Sequence, residues 1–282
     1  MIRTTFTAMG TDIVVASAHE SAARAAQELF ERMESRCSRF RPDSELTAVN
    51  AVPGHRVVLS PLMAELIAVA AELRDRTDGL VDAGLGTAVA AWGYDRTFEE
   101  VTDRLAPPTQ ALSRPEWHLE GQTLVRPFGV AIDLGGIAKG WTCDRVVEDG
   151  LAVVVSAGGD VRSADPAVEV EVLDPWGGLA AVVRLGERAL ATSSITRRRW
   201  QVGNTVAHHL IDPRTLAPAV TPALCASVVA QTSVEAEAGA KGVLLKGADG
   251  LAWARTQPWI DGALVVWHDG SIYATEDIEI AA

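Results

Sequence analysis

The segment Asp133-Leu134-Gly135-Gly136-Ile137-Ala138-Lys139-Gly140 joins an acid, paired glycines and a lysine where an apolar stretch gives way to a helical pattern. Glycines let backbone approach a ligand, a helix start offers unpaired N–H groups to a phosphate, and Lys139 brings a positive charge to the same anion. A tight turn with a solvated lysine uses the same residue types, so the anion cradle and the plain turn stand level. Ser156-Ala157-Gly158-Gly159-Asp160 follows a continuous β-branched run. It reads equally as a crevice lining at a strand's carboxyl end and as a β-turn. His208-His209 has no third ligand at close spacing, which is weak grounds for zinc. Asp212-Pro213-Arg214-Thr215 reads as a turn, so His209 stands where a strand meets a loop. Gly84-x-Gly86 fails as a dinucleotide fingerprint because position 89 is Val, and no P-loop, nucleophile-elbow or His-Glu-x-x-His motif occurs. Arg197-Arg198-Arg199 fits a solvated face.

The elements that must position these residues follow from periodicity. Thr4–Ser17 reads as strands broken at Gly10, and Ala22, Ala26, Leu29, Met33 and Cys37 mark one face of a helix. Ser60-Pro61 opens a helix to Arg74 that turns Leu62, Leu66, Val69, Ala70 and Leu73 inward, and Asp78-Gly79 stops it. Residues Pro107–Pro115 form a connection. Strands are expected at Trp117–Leu119, Thr123–Val125 and Gly129–Leu134, then a helix from about Ile137 to Asp149 and a buried strand at Leu151–Val155. Short strands follow at Val168–Leu173, Ala180–Leu185 and Ala189–Thr192. Thr232 and Glu235 form a capping box for a helix to about Leu245, and Asp269-Gly270 closes a hairpin of Ala263–Trp267 and Ser271–Ala274. This alternation without strict βαβ regularity predicts a mixed α+β class with largely antiparallel sheets and packed helices. No linker or repeat divides the chain, so 1–282 reads as a single domain with room for two lobes.

Composition narrows the function classes. The 282 residues carry 25 Lys+Arg against 37 Asp+Glu, a net charge of −12. That balance argues against a general nucleic-acid or anionic-membrane binder. Cys37, Cys143 and Cys225, an odd number far apart, give no disulfide framework, which suits a reducing compartment. No signal-peptide pattern and no transmembrane-length apolar run is visible, and a cytoplasmic protein is expected. The unaided reading is an α+β protein with a phosphate-containing ligand.

The order of motifs carries more. Met9-Gly10-Thr11, Cys37-Ser38-Arg39-Phe40-Arg41-Pro42-Asp43-Ser44-Glu45 with Asn50, and Asp78-Gly79-Leu80-Val81-Asp82 with Trp92-Gly93 come first. Ala131 to Gly140, Ala157-Gly158-Gly159-Asp160, Thr192-Ser193 and His209-Leu210-Ile211-Asp212-Pro213-Arg214-Thr215 follow. The set spans nearly the whole chain and resembles the ApbE family of FAD:protein FMN transferases, with its T-fold-like arrangement. The resemblance implies that FAD is split at its pyrophosphate, FMN passing to a Ser or Thr hydroxyl of an acceptor flavoprotein while AMP leaves. By that resemblance Met9, Phe40, Leu80, Val81, Asp82, Asp133, Lys139, His209 and Leu210 match positions that contact FAD. Lys139 and His209 lie nearest the chemistry, and Phe40 supplies a ring face for the flavin. Core packing accounts equally for Met9, Leu80 and Val81 taken singly.

The departures gather on the metal. The family holds Mg²⁺ with Asp-Ala-x-x-Thr and a backbone carbonyl matching Gly136, whereas this chain has Glu237-Ala238-Gly239-Ala240-Lys241. Glu237 can ligate through oxygen, but Lys241 has donors and no lone pair where Thr would stand. The two are four residues apart with the acid first, the order of a helical ion pair. Leu216 and Ser194 also stand where glycine is usual. Two readings therefore accompany transferase: an FAD-binding or flavin-storage protein, and an FAD pyrophosphatase giving FMN and AMP.

Overall fold

The computed structural model describes residues 1–53 and 55–280. These fall into two units, each gathered from separated stretches of chain: Met1–Glu34, Ala138–Ser194 and Thr221 onward in the first, Ser35–Ile137 and Ile195–Val220 in the second. Among the described residues the helices are α1 (Glu20–Cys37), α2 (Glu45–Ala51), α3 (Pro61–Arg76), α4 (Gly86–Ala91), α5 (Ala138–Glu148), α6 (Ser233–Lys246) and α7 (Gly250–Arg255). None of them is long and apolar enough to cross a membrane.

The first unit is built on an eight-stranded sheet whose neighbours are all antiparallel. Its order is Ile2–Ala8, Thr11–Ser17, Val154–Ala157, Asp160–Ser163, Ala189–Ser194, Ala223–Ala230, Gly262–Trp267, Ile272–Ala274. Alternation sets one face of the N-terminal hairpin inward: Ala8, Ile13 and Val15 join Ala23, Ala26 and Phe30 of α1 and Cys143 and Val146 of α5 in one core. Small side chains do a different job against α6. Ala189, Ala191 and Ala230 of the sheet meet Ala236, so the helix backbone lies close on the strands. Every residue of Ala223–Ala230 is buried, as a central strand covered on both faces requires.

In the second unit Ser60 caps α3 by accepting the Met63 N–H, with Pro61 in the first turn, as its sequence predicts. Glu45 of α2 holds both the N–H and the hydroxyl of Ser60, tying the two helix starts together. A three-stranded sheet orders Arg56–Val58, Thr123–Val125 and His118–Glu120. The rings of Phe40 and Trp200 pack tilted against Tyr94, and that of Phe98 meets it edge to face.

One expected element is absent. Residues 129–134 form no strand. Their backbone groups find other partners: Asn50 brackets Ile132, its Oδ1 accepting the Ile132 N–H and its Nδ2 donating to the Ile132 carbonyl, both at 2.8 Å. The Ala131 N–H goes to the Thr87 hydroxyl, its C=O takes the Gly86 N–H, and the Asp133 N–H reaches the Ala83 carbonyl. An apolar run satisfied by turns and side chains has the same composition as a strand satisfied by a ladder. The buried strand expected at Leu151–Val155 likewise lies further on, at Val154–Ala157.

Candidate functional site

Lys139 is the second residue of α5, and its ammonium pairs with Asp160 at the head of the strand Asp160–Ser163. Asp160 is 2% exposed, so its charge depends on a partner. Gly140 comes next because α6 leaves no space for more: an added Cβ would meet Glu237 Oε2 and the Ser233 carbonyl carbon at 3.1 Å. Glu237, also buried, accepts from Lys241 Nζ at 3.0 Å through Oε1. Burial works hardest against its charge. Lys241, then Lys139, with a weaker pull from the Gly140 N–H, nevertheless hold the carboxyl below its ordinary value. Its other oxygen, Oε2, is buried without a complete hydrogen bond. This unit thus brings together Lys139, Glu237 and Lys241.

The start of α6 is fixed twice. Thr232 and Glu235 form the expected capping box. Asp144, which the sequence does not single out, accepts the Ser233 N–H at 2.6 Å and the Val234 N–H at 3.2 Å. Burial pushes its carboxyl up to about 6 against those N–H groups and Arg162. Met9 of the same unit forms the tip of the N-terminal hairpin, where Ala8 pairs with Thr11. Its φ of 53° and the 68° of Gly10 are both left-handed, the signature of a tight two-residue turn that favours Asn and Gly over Met.

In the second unit Phe40 and Asp133 meet through Arg39, which nothing in the sequence singles out from its motif. Arg39 Nε lies 2.8 Å from Asp133 Oδ2, and its guanidinium stacks 4.2 Å from the Phe40 ring centre and 4.7 Å from that of Tyr94. Asp133 Oδ1 accepts the Gly135 N–H at 2.7 Å, which shapes the Gly135-Gly136 turn leading into α5. Leu80 and Val81 are buried in the turn after α3. Asp82 Oδ1 takes the Gly84 N–H and the Trp117 indole N–H, both at 2.7 Å, so that oxygen serves the fold first.

His209 follows the strand Thr205–His208, at the expected strand-to-loop position, and is half-buried. Its neighbour does the structural work. His208 Nε2 lies 3.0 Å from the Ala219 carbonyl, and its Nδ1 accepts the Leu210 N–H at 3.3 Å. Those bonds assign the proton to Nε2, and burial holds the ring's pKa below its ordinary value. Ala219 N–H returns to the Leu210 carbonyl, pinning the loop from its other side. Asp212 takes Arg214 in a forked ion pair and its carbonyl accepts the Leu216 N–H at 2.7 Å, the expected turn. Leu216 has φ 56°, which explains the glycine usual there.

The Mg²⁺ implied by the resemblance does not fit the side chains present. Glu237 has one oxygen taken by an ammonium, and Lys241 adds donors where an oxygen ligand is needed. Among the described residues no three His, Cys, Asp or Glu side chains gather closely enough to hold a metal ion.

A profile of the ApbE family matches residues 9–264. The chain is 30% identical over 286 residues to the FAD:protein FMN transferase of Treponema pallidum, covering 89% of this chain and 78% of that protein. It is 30% identical over 255 residues to the FAD:protein FMN transferase of Rhodobacter capsulatus, covering 83% of this chain and about half, 48%, of that longer protein. The crystal structure of the ApbE protein from Thermotoga maritima superposes with a TM-score of 0.83 at 24% identity, covering 98% of this chain and 97% of that one, and shows the same α+β fold.

Proposed function

This chain belongs to the ApbE family, and from that membership we propose that it moves the FMN portion of FAD onto a hydroxyl of an acceptor flavoprotein. The acceptor Ser or Thr oxygen attacks the phosphorus on the riboflavin side of the pyrophosphate. The bond from that phosphorus to the bridging oxygen breaks, and the bridging oxygen leaves with AMP. The hydroxyl proton passes to a base, for which we assign the imidazole of His209. Phosphoryl transfer asks the protein chiefly for positioning and for charge opposite the phosphate oxygens. Lys139 supplies that charge from the first turn of α5. By the family resemblance Met9, Phe40, Leu80, Val81, Asp82, Asp133 and Leu210 stand at positions that contact FAD, with Phe40 offering a ring face to the flavin.

The observation that carries this reading is the lysine at the start of an eleven-residue helix, beyond a glycine turn held by Asp133. Incubation with FAD and an acceptor flavoprotein tests it, by intact mass of the acceptor and release of AMP. Acceptor gaining FMN with AMP released is the expected result. AMP with an unmodified acceptor would make the protein a pyrophosphatase, and bound FAD with no AMP would make it a flavin-storage protein.

A further inference from the structure

Two lysines and two buried carboxylates lie together in the first unit. Lys139 pairs with Asp160, Lys241 pairs with Glu237, and the Lys139 charge also reaches Glu237. Lys241 is no wandering surface side chain, being only 17% exposed beside a Glu237 side chain at 8%. The helix that carries it is rigid by construction: its N-terminus is capped by Thr232 and by Asp144, and Ala236, Ala238 and Ala240 are fully buried. Its ammonium is therefore held in place. Among the described residues its acceptor is Glu237 Oε1, which takes one of three N–H donors and leaves two for ligand oxygens.

We propose that Lys241 is a built-in cation, doing for the ligand's phosphates what a divalent metal would do, so that FAD binds this protein without Mg²⁺. The inference rests on the FAD reading given above. A metal seated on the remaining oxygen of Glu237 would share its carboxylate with an ammonium only 3.0 Å from the other oxygen, and like charges at that range repel strongly. Mg²⁺ also demands near-octahedral oxygen ligation, and each carboxylate of this cluster already gives one oxygen to a lysine, Glu237 to Lys241 and Asp160 to Lys139. An ammonium makes short charge-assisted hydrogen bonds to phosphate oxygens and, being covalently attached, is not lost to dilution or chelation.

The test has two arms on the purified protein. In the first, Mn²⁺ alone is titrated and followed by electron paramagnetic resonance. The wild type should leave the free-ion signal intact, and Lys241→Thr, which restores a hydroxyl one turn from Glu237, should remove Mn²⁺ stoichiometrically. In the second, FAD affinity is measured by fluorescence quenching in EDTA and in Mg²⁺. Wild-type affinity should be the same in both, while Lys241→Thr should bind at least about tenfold more weakly in EDTA. If Lys241→Thr does not fold, the neutral pair Lys241→Met with Glu237→Gln should weaken FAD binding at least about tenfold whether or not Mg²⁺ is present. Stoichiometric Mn²⁺ on the wild type, EDTA-sensitive wild-type binding, or undiminished affinity in the neutral pair would overturn the proposal. The Mn²⁺ arm uses no flavin. If FAD binds under neither condition, the transferase reading falls while that arm still decides the metal question.

Discussion

Arg39 and Asp133 form an ion pair at 2.8 Å, joining the residue beside Phe40 to the acid that shapes the Gly135-Gly136 turn. Both side chains are largely buried, and the guanidinium also stacks on two rings. Arg39→Ala should cost about 1–3 kcal/mol of stability in denaturant melts and weaken FAD binding. Arg39→Lys keeps the charge but not the fork or the stacking, and should recover only part of both. FAD affinity unaltered in Arg39→Ala would separate the turn from the ligand.

Met9 sits in a left-handed turn that its side chain disfavours. Met9 is half-buried against the core of the first unit, and strain at such a hairpin tip is retained where the side chain has a task. Met9→Gly should therefore raise stability by about 1 kcal/mol while lowering FAD affinity. A thermal melt and an FAD titration on the same sample check the opposed signs.

His209→Ala should slow AMP release about 10²- to 10⁴-fold with FAD affinity little changed, as loss of a general base does. His208→Ala should act on stability instead, because it leaves the Leu210 N–H and the Ala219 carbonyl without their ring partner. Equal effects of the two substitutions on turnover would return His209 to a structural role.

Asp144 gives a pH signature. Its folded pKa of about 6 lies above the unfolded value, so the folded state binds the extra proton between about pH 4 and pH 6. The stability linked to that proton is full below about pH 4 and is lost as pH rises through 6, up to about 3 kcal/mol in all. Asp144→Asn keeps an acceptor for the Ser233 N–H and cannot ionise. Melts of both proteins from pH 4 to pH 7 should show the variant gaining on the wild type as pH rises. A constant difference would mean that Asp144 keeps an ordinary pKa.

Local signals in the sequence proved legible. Ser60-Pro61 and the Thr232–Glu235 box start helices, and the closing hairpin pairs as its turn predicts. The spacing of Glu237 and Lys241 likewise becomes an ion pair. What stayed hidden is non-local. Nothing around position 132 tells that Asn50 will take the place of a neighbouring strand, and nothing in Arg39 points ahead to Asp133. Asp144 reads as an ordinary charged helix residue until α6 arrives to be capped by it. The order of family motifs located the candidate residues; composition and periodicity alone reached no further than a phosphate-containing ligand.

The strand Thr11–Ser17 precedes its partner Val154–Ala157 by about 140 residues of chain. At about 5–20 residues per second, a ribosome needs roughly 7–30 s to deliver it. Until then the N-terminal hairpin offers an unpaired edge, with Ile13 and Val15 uncovered by α5, to any strand nearby. A growing chain is thus exposed to mispairing at this hairpin until Val154–Ala157 emerges, and keeping the hairpin apart over that interval should raise the yield of folded protein.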